Sequence, residues 1–198
     1  MTSLPPRRDA PECFVSVDIE TAGPVPAEFS MLSIGACLVD DPDTTFYVEL
    51  RPELTNATPE ALQVTGLSLE HLLSRGVPAK AAMTSFANWV AEAVPAGHRP
   101  VFTAFNAAFD WMFICDYFQR HLGRNPFGYA ALDIKAFAMG SGNTSWAATS
   151  MDVLAARHLG GRQLTHNALA DAQDQAELFR SLLKERESLN AEPTRSSP

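Results

Sequence analysis

Short runs of apolar residues near the start of the chain predict β-strands, and longer segments with helical spacing follow them. Five strands are predicted, at 13–17, 31–39, 44–50, 101–105 and 130–134. The first three follow one another without a helix and predict a meander, whereas the last two alternate with helical segments. This arrangement is typical of a mixed α/β sheet with helices on both faces, and it leaves the order of the strands open.

Capping residues mark where several helices begin and end. Thr58 followed by Pro59 predicts a helix start, Gly66 predicts its end, and Ser68 predicts the start of a second short helix. Gly123 and the pair Gly160-Gly161 end two later helices. Longer helices are predicted at 80–94, 107–122, 150–159 and 167–184.

The length of 198 residues predicts one domain with a sizeable core. We place that domain at 12–187, with disordered tails at 1–11 and 188–198. The N-terminus lacks the apolar stretch of a signal peptide, and no apolar run approaches the ~20 residues of a membrane span. We therefore expect a cytoplasmic protein that does not enter a membrane.

The net charge of −8 narrows the classes of partner. An acidic chain does not hold long duplex nucleic acid through a broad basic surface. The charge leaves room for a nuclease that binds a few nucleotides through metal ions, because those ions neutralise part of the acidic excess. Nothing in the sequence decides between a monomer and a homodimer.

Two segments place acids beside apolar stretches, where a carboxylate is costly unless something compensates its charge. Asp18 and Glu20 are two residues apart on the first strand, so both side chains point to the same face near its C-terminal end, where ligands bind in open α/β sheets. Asp110 follows Asn106 by four residues, and we place Asn106 near the cap of the following helix. When each segment is considered by itself, its acids could also lie at an exposed strand end or on a solvated helix face.

The third segment contains a histidine five residues before an acid. A continuous helix would separate His166 and Asp171 by about 140°, so we place His166 in the preceding loop and Asp171 on the second turn. Four acids meeting in one cleft repel one another unless divalent cations lie between them. A histidine beside such a centre is suited to act as a general base near neutral pH. Helix capping by His166 and a competing role for Asp174 stay open at this point.

The three segments together resemble the DEDDh family of 3′–5′ exonucleases, which includes the proofreading subunit of bacterial replicative polymerase, oligoribonuclease and RNase T. The matching motifs are Val17-Asp18-Ile19-Glu20-Thr21, Phe105-Asn106-Ala107-Ala108-Phe109-Asp110, and His166 with four residues between it and Asp171. The resemblance implies an RNase H-like fold, that is, an α/β fold with a five-stranded mixed β-sheet flanked by helices.

The resemblance also implies two divalent ions, Mg²⁺ or Mn²⁺, and a role for each acid. By the family pattern, Asp18, Glu20 and Asp171 bind one ion. Asp18 also touches the second ion, and Asp110 holds that ion directly or through water. The pattern makes His166 the general base of a two-metal hydrolysis.

Three further residues are implied to bind substrate. Thr21 and Ala22 correspond to the segment that lies along the terminal nucleotide, and Asn106 is the third. The chain departs from the pattern at Phe105, where relatives commonly have a histidine. The polar stretch at 143–150 matches nothing in the pattern.

The expected function is metal-dependent removal of nucleoside 5′-monophosphates from the 3′ end of single-stranded DNA or short nucleic acids. One alternative is an exoribonuclease acting on short RNA, since a single contact can read the 2′-hydroxyl. Another is an inactive RNase H-like module that only binds nucleic acid or protein. Phe109, Trp111 and Trp146 are candidate stacking surfaces, although aromatic residues at helical spacing usually belong to the core.

Overall fold

A computed structural model describes residues 10–162 and 165–191, and it contains the five-stranded mixed sheet that the sequence predicts. The strands are β1 (Glu12–Thr21), β2 (Met31–Leu38), β3 (Thr45–Glu49), β4 (Arg99–Ala104) and β5 (Ala131–Asp133). Their order in the sheet is β3-β2-β1-β4-β5. The first three strands pair antiparallel, and β1, β4 and β5 run parallel to one another. The C-terminal ends of those three parallel strands therefore meet at one edge.

The helices begin or end within two residues of a capping residue wherever the sequence predicts one. They are α1 (Pro59–Thr65), α2 (Leu69–Arg75), α3 (Ala79–Ala93), α4 (Ala107–Leu122), α5 (Ile134–Ser141), α6 (Met151–His158) and α7 (Ala168–Ala191), with a 3₁₀ helix at Trp146–Thr149. Thr58 caps α1 by accepting the Ala61 N–H at 3.2 Å. Gly66 and Gly123 follow their helices with φ of 65°, a left-handed conformation that glycine adopts without strain.

The sheet has a packed layer on each face, and its central strand β1 contributes side chains to both. The odd-numbered residues of β1 from Cys13 to Ile19 are apolar and share a core with residues of α3 and α4, for example Val15 and Val17 with Phe86. Its even-numbered residues face α7, where the Phe14 ring meets Phe179 edge-on at 5.2 Å. Because both faces of the sheet are covered, all of β2 is buried, rather than only the apolar half of its alternating residues.

A glycine on β2 determines how closely α7 approaches the sheet. Gly35 pairs with Asp18 across the β1–β2 ladder. A Cβ atom at Gly35 would lie 2.1 Å from the carbonyl carbon of Ala168, at the start of α7. The missing side chain therefore lets the first turn of α7 lie directly over the strand pair that carries Asp18.

Three features of the fold differ from the sequence prediction. The helix α5 and the 3₁₀ helix were not predicted, and both are short, so they contain too few turns for a periodic pattern. The last helix was predicted to end at 184 and a disordered tail to begin at 188. Both predictions are wrong, because α7 continues to Ala191 and no glycine or proline interrupts 185–191. The rest of the predicted tails, 1–9 and 192–198, lies outside the described residues. In the described ranges, no helix is long and apolar enough to cross a membrane.

Candidate active site

Three of the four predicted acids meet between β1 and α7. Asp18 and Glu20 lie on the face of β1 that points to α7, as their spacing predicts. Asp171 lies in the first turn of α7, and not in the second as predicted, because the helix begins at Ala168. Glu20 is 8% exposed and Asp171 is 2% exposed, so these charges are largely removed from water.

The loop before α7 is held by the carboxylate of Asp171. The backbone N–H groups of Thr165 and His166 donate to its two oxygens, each at 2.8 Å. His166 has a positive φ of 55° and an exposed side chain, as expected for a loop residue. Ligand atoms of Glu20, His166 and Asp171 lie within 4.8 Å of one another, a set that could hold a divalent cation.

The fourth acid comes from α4, on the other side of β1. Asp110 is 5% exposed and accepts the backbone N–H of Ile19 at 3.2 Å, so it lies beside the strand between Asp18 and Glu20. Asn106 stands at the helix cap, as predicted, with φ of 60° and an exposed side chain that makes no capping hydrogen bond. The N–H of Ala107, the first residue of α4, is capped by Asp133 at the end of β5, whose carboxylate accepts it at 2.6 Å.

Burial and mutual repulsion raise the pKa values of three of these acids, Asp18, Glu20 and Asp110. Burial, followed by the charges of Asp110, Glu20 and Asp171, raises the pKa of Asp18 well above its usual value. Burial, followed by the charge of Asp171, raises the pKa of Glu20 to about 8. Burial is also the main cause that raises the pKa of Asp110 to about 8. Among the described residues, no Lys, Arg or His ring nitrogen forms an ion pair within 4 Å with any of the four acids.

A glutamine that the sequence reading missed connects two of the motifs. Gln175 is fully buried, and its side-chain N–H donates to Asp18 Oδ1 at 2.6 Å. Its carbonyl oxygen accepts the N–H of Phe105 at 2.9 Å, which fixes the direction of the amide. Gln175 follows Asp171 by four residues on α7, and this spacing on one helix face was the signal that could have found it.

An open cleft of about 360 Å³ lies beside Glu20, between the end of β1 and α1. Thr21 and Phe109 line it, so Phe109 is available for stacking. Ala22 is fully buried, and its N–H and C=O bond to Ser30 and Thr58, so its expected substrate contact stays a prediction. Of the other two aromatic candidates, Trp111 packs in the core and Trp146 is exposed.

The profile of the Rv2179c-like 3′-5′ exoribonuclease domain family matches residues 13–183, nearly all of the described chain. The chain belongs to this family. It is 46% identical over 173 residues to the 3′-5′ DNA exonuclease Cap18 of Escherichia coli, a match that covers 87% of this chain and 92% of that protein. It is 32% identical over 178 residues to Ribonuclease T of Shewanella sp. (strain ANA-3), covering 83% and 79%.

Solved structures confirm the RNase H-like fold. The nuclease domain of 3′hExo, described as a DEDDh family member bound to rAMP, superposes with a TM-score of 0.68 at 14% identity, covering 93% of this chain and 96% of that one. Exonuclease I of E. coli in complex with a dT13 oligonucleotide gives a TM-score of 0.69 at 16% identity, covering 90% of this chain and 42% of that one. With the family match and the curated relatives, these findings confirm that the chain is a DEDDh 3′-5′ exonuclease, and hence a hydrolase.

Proposed function

We propose that this exonuclease removes nucleoside 5′-monophosphates one at a time from the 3′ end of single-stranded DNA. The observation that carries the proposal is the meeting of four acids, without an ion-paired cation among the described residues, beside His166 at the C-terminal edge of the sheet. The preference for single strands rests on the net charge of −8, which leaves little basic surface for a duplex.

The acids fit a pair of Mg²⁺ or Mn²⁺ ions. Buried carboxylates with raised pKa values need a positive charge between them, and hard divalent cations prefer oxygen ligands. Asp18, Glu20 and Asp171 would hold one ion, and Asp18 with Asp110 would hold the other. Bound at this site, the two ions would supply an activated water and would stabilise charge on the leaving 3′ oxygen.

His166 would remove the proton from the attacking water. Its ring is exposed on a loop that two hydrogen bonds tie to Asp171, so it is both accessible and positioned. Thr21 and Phe109 in the neighbouring cleft would hold the terminal nucleotide, and Asn106, exposed at the end of β4, would contact the substrate from the other side of the acids.

The choice between DNA and RNA rests on the relatives. The relative at 46% identity is called a DNA exonuclease, and this favours DNA. The family description names an exoribonuclease domain, and the relative at 32% identity is a ribonuclease. An exoribonuclease acting on short RNA is therefore the second candidate function.

A degradation assay on strands of DNA and RNA with the same sequence tests both candidates. With a 5′ label, removal from the 3′ end gives a ladder of shortening products, whereas removal from the 5′ end releases a labelled mononucleotide at once. We expect the ladder with Mg²⁺ or Mn²⁺, none with EDTA, and faster loss of DNA than of RNA. His166→Ala should stop the reaction, while His71→Ala, which changes an exposed histidine on α2, should not. A ladder that persists in EDTA would contradict the metal requirement.

A further inference from the structure

A lysine at the start of α5 is held by two aromatic rings. The ammonium nitrogen of Lys135 lies 4.3 Å from the centre of the Trp146 ring and 5.6 Å from that of Phe105. Among the described residues, no carboxylate lies within 4 Å of this nitrogen, whereas the arginines at 99, 120, 157 and 162 are all ion-paired. The charge of Lys135 is therefore not neutralised by an acid, and its N–H donors remain open to an anion.

The aromatic partner of this lysine is held in an exposed position. Trp146 is 51% exposed and begins the 3₁₀ helix in the polar stretch that matched no family motif. Thr149 donates its hydroxyl to the Trp146 carbonyl at 2.7 Å, which helps to fix this turn. Met139, 42% exposed, follows Lys135 by four residues on the same face of α5. The surface thus combines an exposed indole ring, a flexible thioether and a cation.

Hydrogen bonds connect this surface to the acid cluster. The N–H of Phe105 is bound by Gln175, which also binds Asp18. Asp133, at the end of β5 just before Lys135, binds the first N–H of α4, the helix that carries Asp110. None of Phe105, Lys135 and Trp146 lines the cleft of about 360 Å³ beside Glu20. The surface therefore extends the site in a direction that the terminal nucleotide in that cleft does not use.

We propose that Phe105, Lys135 and Trp146 bind the single strand upstream of the terminal nucleotide. Trp146 stacks on a base, and Lys135 binds a backbone phosphate. The inference rests on the proposed function, because it extends the same site. A nucleic acid is favoured over a protein partner because aromatic faces and an unneutralised cation are what a single strand binds, and because the acidic cluster beside them would otherwise repel a phosphate backbone.

Two substrates of different length separate this surface from the reaction centre. The p-nitrophenyl ester of thymidine 5′-monophosphate has only the terminal nucleotide, whereas a single strand of about ten nucleotides also reaches the surface. For Trp146→Ala and Lys135→Gln, we expect kcat/KM on the strand to fall about tenfold, mainly through KM, with hydrolysis of the ester unchanged. Lys135→Gln should also reduce the slope of log(kcat/KM) against log salt by about 0.7, the loss of one phosphate contact.

Matched controls are Lys80→Gln on α3 and Leu73→Ala on α2, both exposed and neither part of this surface. Each should leave both substrates unaffected. An equal loss on strand and ester, or no loss on the strand, would overturn the proposal, and a changed oligomeric state in the variants would assign the surface to a protein contact instead. If the wild-type protein hydrolyses neither substrate, the proposed function fails, and the affinities of wild type and variants for a labelled strand still decide this inference.

Discussion

The acids of α7 belong to two groups that differ in how their charge is compensated. Asp174 and Glu177 both pair with Arg162 on the surface, with 2.6 Å between Arg162 and Asp174. Asp171, one turn earlier, belongs to the buried cluster, which has no ion-paired cation among the described residues. The surface group is compensated within the fold and contributes about 0–1 kcal/mol per pair. The cluster is incomplete without external positive charge, and so we assign the reaction to it.

The largest expected effect is the loss of activity when one acid of the cluster is made neutral. Asp18→Asn should lower kcat/KM by roughly three orders of magnitude or more, because in the proposed two-metal site it removes the charge of the ligand that both ions would share. The fold should persist, since the asparagine can still accept the hydrogen bond from Gln175. Steady-state hydrolysis and circular dichroism test both statements. The control variant Asp174→Asn should retain nearly normal activity. Near-normal turnover in the Asp18 variant would contradict the two-metal proposal.

The second effect is stabilisation of the folded protein by divalent metal. A ligand that binds only the native state adds about 2.7 kcal/mol at a hundredfold excess over Kd, and each kcal/mol moves Tm by about 2–4 °C in a domain of this size. We expect Tm to rise by several degrees in millimolar Mn²⁺. Glu20→Gln should raise the metal-free Tm, because the folded state no longer has to take up a proton that the unfolded state releases at neutral pH. It should also shrink the metal-induced rise. Glu177→Gln is the control, and equal metal shifts in both variants would show that Glu20 is not a ligand.

Asp171→Asn is a poorer test of metal binding than the sequence suggests. From the sequence alone, it should leave the metal-free Tm unchanged or raise it, because it removes one of four repelling charges. The structure shows that Asp171 accepts the backbone N–H groups of Thr165 and His166 and the hydroxyl of Thr165. We now expect the variant to lower the metal-free Tm, because an amide cannot accept through its nitrogen.

The third effect concerns the neutral partner of Asp18. Gln175→Leu should lower kcat/KM about tenfold and weaken Mn²⁺ binding, because Asp18 loses the donor that orients it. Gln175→Glu keeps an acceptor for the Phe105 N–H and removes the donor to Asp18, so it should not restore activity. Gln173→Leu, which breaks a contact to the Pro42 carbonyl, is the control. Full Mn²⁺ affinity in the Glu variant would reduce Gln175 to a structural role.

The features that the sequence predicted are those determined by local chain geometry. Alternation along β1 put Asp18 and Glu20 on one face, and the caps at Thr58 and Gly123 followed from short-range hydrogen bonding and backbone conformation. The order of the strands depends on contacts between distant segments and was not predicted. The contact of Gly35 with Ala168 is of the same kind, because it becomes visible only when α7 is packed on the sheet.

The site was predicted in its charged members and missed in its neutral ones. Acids in apolar surroundings are conspicuous in a sequence, whereas Gln175 becomes notable only through the two groups that it joins. Trp146 was expected in the core, as most tryptophans are, and its exposure follows from a short 3₁₀ helix that has no periodic signature. These neutral and aromatic residues depend on tertiary packing, which the chain pattern does not contain.

The last effect we expect is the pH dependence of stability in the metal-free protein. Burial raises the pKa of both Glu20 and Asp110 to about 8, whereas unfolded carboxyl groups release their protons near pH 4. Between these values the folded state binds more protons than the unfolded state. The free energy of unfolding therefore falls as pH rises, by up to about 1.4 kcal/mol per pH unit for each group.

In EDTA, Tm should therefore decrease between about pH 5 and pH 8 and then level off, since the folded protein has released both protons above that range. Saturating Mn²⁺ should flatten or reverse the decrease, because the ion compensates the ionised carboxylates. Glu20→Gln should reduce the slope in EDTA, and Glu177→Gln, which changes an acid paired with Arg162 on the surface, should leave it unchanged. A metal-free Tm that stays constant or rises across this range would show that the clustered acids are already ionised, and the contrast with the paired acids of α7 would then disappear.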